Sequence, residues 1–163
     1  MYLLDTSVFV EAANRYYQFQ IAPGFWDALL DQSLIGKVGS IDKVLAELLR
    51  MNDPLADWAR SKFAHAFAST RQPRVRQEYR RVIQFVSRQT RYTDEARRQF
   101  ADADNADAWL VAFALAHGGT VVTQETPAPQ SKRVVKIPDV CQHFNIRWVD
   151  TFAMMSELGI RLR

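Results

Sequence analysis

FADADNADAWLVAFALAHGGTVVTQE, residues 100–125, is the stretch on which the fold turns. Asp102, Asp104 and Asp107 open an apolar helix, Gly118 and Gly119 stop it, and the β-branched run Thr120–Thr123 leads to a further acid, Glu125. A helix followed directly by a short apolar strand is the repeating unit of an α/β sheet. The helix begins in carboxylates and the strand ends beside one, so like charges converge. Carboxylates repel one another and do not gather without a cation. The stretch therefore predicts a divalent-metal site whose remaining ligands come from elsewhere in the chain.

Working outward, Tyr2–Leu4 reads as a short buried strand ending at Asp5. Thr6 and Ser7 are good caps for a helix over Val8–Tyr17. Pro23 and Gly24 precede an amphipathic helix, Phe25–Leu34, and Gly36 ends it. A second strand, Lys37–Ile41, leads to a helix over Lys43–Met51 that carries Glu47. A helix is expected over Ala56–Phe67, with Trp58, Phe63 and Phe67 in the core. Further helices are expected over Val75–Thr90 and from Thr93 to Phe100. After Glu125 the segment TPAPQSKR reads as a loop, followed by a short strand at Val134–Ile137 and a helix to Phe144. A last strand, Ile146–Val149, precedes a helix capped by Thr151. Strands alternating with helices predict an α/β fold with a mainly parallel sheet.

The chain has 163 residues, 48% of them hydrophobic and 12% aromatic, which suits one domain with a real core, residues 1–163. A helical, basic insert is expected at about residues 53–100. The formal charge of +3 permits an anionic partner without specifying one. The single cysteine, Cys141, excludes an internal disulfide and fits a reducing, cytoplasmic setting. MYLLDTSVFV carries no basic leader, so no signal peptide is expected, and no run reaches the roughly 20 apolar residues of a membrane span.

In open α/β sheets ligands bind outside the carboxyl ends of the strands. Asp5 and Glu125 both fall just past a predicted strand. Asp107 borders the inward stripe Ala108, Val111, Ala112 and Leu115, and Asp104, one turn earlier, is expected on the same side. Glu47 lies among Val44, Leu45, Leu48 and Leu49, where a carboxylate needs a partner or a cation. Oxygen-only ligands select a hard cation, Mg²⁺ or Mn²⁺, and no His–Cys pattern competes. Such an ion suits phosphodiester hydrolysis, because it activates a bound water and neutralises charge on the phosphate. Each acid also has a plainer reading: Asp5 as a turn residue, Glu47 as a half-exposed helix acid, the Asp cluster as partners of a helix dipole, Glu125 as surface. Their common placement at one sheet edge favours the metal.

These residues resemble the PIN-domain family, metal-dependent ribonucleases that include the VapC toxins of toxin–antitoxin pairs. Leu3-Leu4-Asp5-Thr6-Ser7 is similar to that family's first motif and Val44-Leu45-Ala46-Glu47-Leu48 to its second. Asp107-Ala108-Trp109-Leu110-Val111-Ala112-Phe113-Ala114 is similar to the third, and Gly119-Thr120-Val121-Val122-Thr123-Gln124-Glu125 to the fourth. The resemblance implies a three-layer α/β/α fold and an endoribonuclease with Mg²⁺ or Mn²⁺ held by Asp5, Glu47, Asp107 and Glu125. Thr6, Ser7, Thr123 and Asp104 would support those ligands. It implies RNA as substrate, an antitoxin protein as a possible partner, and a possible homodimer. The family's fourth motif usually ends in Asp; Glu125 is one methylene longer. That difference keeps a second reading open, an RNA-binding or regulatory module of the same fold without turnover. A third is a carboxylate nuclease directed at DNA.

Nine arginines fall between Arg71 and Arg98, against only Glu78, Asp94 and Glu95. Arg74, Arg80, Arg81 and Arg88, with Lys132 and Arg133 near Glu125, are candidate nucleic-acid contacts, and Tyr79 and Tyr92 candidate base-stacking residues. The plainer reading is a solvated helix face. His65, His117 and His143 follow no ligand spacing.

Overall fold

The computed structural model describes all residues, Met1–Arg163. Five short strands form one all-parallel sheet in the order β3-β2-β1-β4-β5: β1 Tyr2–Leu4, β2 Val38–Ile41, β3 Phe67–Ala68, β4 Thr120–Val122 and β5 Trp148–Val149. Nine α-helices flank it: α1 Thr6–Glu11, α2 Pro23–Leu34, α3 Asp42–Arg50, α4 Pro54–Ser61, α5 Pro73–Ser87, α6 Asp94–Ala101, α7 Ala106–His117, α8 Ile137–His143 and α9 Thr151–Glu157. The fold is PIN-like. No helix is long and apolar enough to cross a membrane.

The central strands are apolar on both faces, as a parallel sheet covered by helices requires. Leu3, Leu4, Val121 and Val122 are completely buried, and the register pairs Leu3 with Val121 and Leu4 with Val122. Gly119 makes this pairing possible. Its φ is +127°, and a Cβ there would stand 2.9 Å from the Met1 carbonyl oxygen. Helix α7 is buried almost all round, from Ala106 to Ala116, because it lies between the sheet and α5.

The strand order reverses direction between β1 and β4: the chain builds outward to β2 and β3, then returns to β4 and β5. In open parallel sheets this reversal opens a crevice at the carboxyl ends of the two strands. Asp5 and Glu125 follow those two strands.

Several boundaries differ from the sequence reading. The helix expected over Ala56–Phe67 stops at Ser61, and after a 3₁₀ turn at Ala64–Ala66 the chain forms the edge strand β3. Phe63 is fully buried, while Trp58 and Phe67 are half-buried. Aromatic packing explains the break: Phe63 stacks on Trp58 at 4.8 Å and meets Phe9 edge-on at 5.8 Å. Filling that pocket outweighs the helical pattern. The basic segment at residues 53–100 is therefore not purely helical, since it supplies β3. No strand forms at Val134–Ile137; Ile137 begins α8. Asp150, not Thr151, caps the last helix, accepting the Ala153 N–H at 2.8 Å.

Candidate metal centre

The loops after β1 and β4 are joined by side-chain hydrogen bonds. The Asp5 N–H donates to the Val122 carbonyl at 2.9 Å. Asp5 itself is buried, 3% exposed. Its Oδ2 accepts from the Ser7 hydroxyl at 2.7 Å and the Thr123 hydroxyl at 2.9 Å. Each hydroxyl in turn accepts a backbone N–H, Gln124 to Ser7 and Glu125 to Thr123, both at 3.1 Å. Both hydroxyls thus orient Asp5 and pin the turn that carries Glu125.

Glu47 reaches the same region from α3. Its Oε1 accepts from the Thr6 hydroxyl at 2.6 Å, and its Oε2 from the Ala106 N–H at 3.0 Å. Ala106 is the first residue of α7, so this carboxylate occupies a favourable position at a helix N-terminus. Asn105 caps α7 by accepting the Asp107 N–H at 3.0 Å. Glu125 Oε2 accepts the Ile137 N–H at 2.8 Å, at the start of α8. Asp107 differs from the other three: no protein donor reaches its carboxylate.

The electrostatics record how close these acids lie. Burial pushes the Asp5 carboxyl above its ordinary range, opposed by the Ser7 and Thr123 hydroxyls. Burial, then the charges of Asp5, Glu125 and Glu47, hold Asp107 well above the usual carboxylate range, with Lys136 opposing. Burial raises Glu125 too, opposed by the Ile137 N–H. The field of Asp5 and Glu125 extends to Cys141, whose thiol is pushed up to about 12, chiefly by burial.

The donor set is oxygen only, as a hard cation prefers. Asp107, half-buried beside three acids and without a donor, is the group such an ion would satisfy. No three His, Cys, Asp or Glu side chains stand in a ready ligating cluster. The acids are near enough to raise one another's pKa but not to enclose an ion. A hard cation held there would take one or two of these carboxylates directly and fill the rest of its shell with water.

Asp104 hydrogen-bonds to none of the four acids. It lies in the turn before α7, exposed, in an open cleft with Asp102, Asn105, Arg50 and one side of Glu47. The placement differs from expectation because Asn105 starts the helix after Asp104, so helical spacing does not apply to it. Among the basic candidates, Arg74 donates to the Ala116 carbonyl at 2.7 Å and so closes the end of α7. Arg81 pairs with Glu78 at 2.6 Å. Arg80, Arg88, Lys132 and Arg133 are exposed. Of the two expected base-stacking residues, burial overturns Tyr92. Tyr92 is 4% exposed, and Tyr79 stacks on Trp109 at 3.7 Å. Sequence reading missed Asn105, although Asn is a strong helix cap. It also missed Gln124, which accepts from the Thr151 N–H and hydroxyl and ties the β4 loop to α9.

Among solved structures, the chain is similar to one in VapBC2 from Rickettsia felis bound to a DNA fragment from their promoter. The TM-score is 0.53 at 15% identity, over 91% of this chain and 97% of the other. This is a likeness of fold. No curated protein sequence matches. The model of the family described as a domain of unknown function, DUF4411, matches residues 2–162, so the chain belongs to that family.

Proposed function

We propose that this protein is a metal-dependent endoribonuclease, the toxin of a type II toxin–antitoxin pair, hydrolysing RNA phosphodiester bonds. The observation that carries the reading is the convergence of Asp5, Glu47, Asp107 and Glu125 where the strand order reverses. Asp5, Glu47 and Asp107 would hold Mg²⁺ or Mn²⁺, and Glu125 would complete the site. A cation held there supplies a water that ionises near neutral pH and offsets the charge developing on the phosphate. Thr6, Ser7 and Thr123 keep the carboxylates aimed. No imidazole stands by as a base: His65 bonds Ser33, His117 bonds Gln72, and His143 stacks on Phe85. Arg80, Arg88, Lys132 and Arg133 would contact the RNA backbone.

The likeness of fold to a chain of VapBC2 supports an antitoxin partner, and a cytoplasmic location goes with that reading. A homodimer belongs to the same proposal. The test is cleavage of a single-stranded RNA by purified protein with Mn²⁺, compared with Asp107→Asn and with matched DNA. Cleavage of RNA that disappears in the variant is expected. Equal activity in the variant refutes the site, and preference for DNA redirects the substrate.

One observation favours the second reading, an RNA-binding module without turnover. Glu125 spends Oε2 on the Ile137 N–H, so it anchors α8 as well as facing the acids. RNA binding in EDTA with no cleavage at any Mn²⁺ concentration would select this reading.

A further inference from the structure

Helices α3 and α7 run side by side in opposite directions. Arg50 donates to the Asp104 carbonyl at 3.3 Å, Glu47 accepts from Ala106, and the Lys43 ammonium lies 5.2 Å from the centre of the Trp109 ring. One turn along this seam from Glu47, away from the acidic cleft, is a second cleft of about 370 Å³. Its walls include Lys43, Arg71, Arg76, Thr70, Asp42 and Trp109. None of the three cations is ion-paired. The one acid present is already engaged: Asp42 accepts the Thr70 N–H at 3.1 Å and the Thr70 hydroxyl at 2.8 Å.

We propose that this cleft is a backbone subsite for single-stranded RNA. In it Lys43, Arg71 and Arg76 hold the phosphate next to the one lying at the carboxylates. The inference rests on the nuclease reading. Three unpaired cations in a concave site attract a polyanion and orient its phosphates. Lys43 and Glu47 are four residues apart on one helix, roughly 6 Å of rise, on the order of the step between successive phosphates of a single strand. Trp109 forms a rigid apolar wall, because its Nε1–H donates to the Ala103 carbonyl at 3.0 Å and its ring stacks on Tyr79. A ribose or base edge rests against it while the cations face the backbone. An acidic peptide lacks that regular phosphate spacing and gains nothing from the proximity to the carboxylates.

The experiment measures binding of a short fluorescein-labelled single-stranded RNA by anisotropy, in EDTA, over a salt series. Wild type is compared with the triple variant Lys43→Gln, Arg71→Gln, Arg76→Gln and with Arg80→Gln, Arg88→Gln, after circular dichroism confirms folding. The triple variant is expected to bind at least about tenfold more weakly, with a log–log salt slope flatter by roughly 0.7, for the one phosphate it no longer neutralises. The Arg80→Gln, Arg88→Gln variant flattens the slope by its own lost contacts only, and its effect adds to that of the triple variant. An unchanged slope in the triple variant overturns the proposal, as does competition by polyglutamate as effective as that by unlabelled RNA. Mn²⁺-dependent cleavage is scored separately. Cleft-dependent binding without cleavage removes the nuclease reading and leaves the subsite. Cleavage in a triple variant with unchanged binding removes the subsite and leaves the nuclease.

Discussion

The Thr123 hydroxyl donates to the Asp5 carboxylate across 2.9 Å, although the two residues are 118 positions apart in the chain. That bond joins the ends of β1 and β4 and sets the direction of the most buried acid in the centre.

Replacing Thr123 by Val keeps the shape and removes the hydroxyl. Asp5 then keeps one hydroxyl donor, Ser7, and the Glu125 N–H loses its acceptor. The expected cost is about 1–3 kcal/mol in urea unfolding, as for other buried polar groups left unmatched. Ser7→Ala should behave alike, and the double variant should depart from additivity because both hydroxyls serve one carboxylate. Wild-type stability in Thr123→Val would contradict this account.

The acids make the metal-free protein sensitive to pH in a definite direction. Asp5, Asp107 and Glu125 all have carboxyls raised above their unfolded values. The folded state therefore binds more protons than the unfolded chain between the ordinary carboxylate range, about 4, and the raised values. Their contribution is fully favourable below that ordinary range and is lost as pH rises through the folded pKa values. Urea titrations in EDTA should show Asp107→Asn more stable than wild type at neutral pH, with a flatter pH dependence.

Mn²⁺ should reverse that penalty in wild type and not in Asp107→Asn. An ion that binds only the folded state stabilises it by about 2.7 kcal/mol at a hundredfold excess over its dissociation constant. A rise in melting temperature with Mn²⁺ that EDTA abolishes is the expected result. An equal rise in the variant would place the ion elsewhere.

Cys141 is fully buried and its thiol is pushed up to about 12. At pH 8 almost no thiolate forms, so the native protein should react with a chromogenic disulfide far more slowly than the urea-unfolded chain does. Comparable rates in the two states would show that the helix α8 opens readily.

Gly119→Ala should be among the most damaging single methyl additions in the chain. The backbone there has positive φ, and the new carbon meets the Met1 carbonyl just ahead of the neighbouring strand β1. A loss of about 2 kcal/mol or more is expected from strain alone. Gly36 also has positive φ, but nothing lies within 4 Å of its added carbon, so Gly36→Ala should be milder.

The local signals in the sequence determined which acids stand at strand ends, where α7 stops, and that strands and helices alternate. These depend on short-range rules: apolar runs, caps, and glycines that end helices. Tertiary structure alone decided that β3 lies inside an apparently helical segment, because Phe63 leaves the helix to fill a pocket formed with Phe9 and Trp58. It also decided that Arg74 is spent on the Ala116 carbonyl, that Tyr92 is buried, and that Asp104 faces a different cleft from Asp107. A side chain's destination depends on which remote elements pack against it, and sequence periodicity carries no record of those partners.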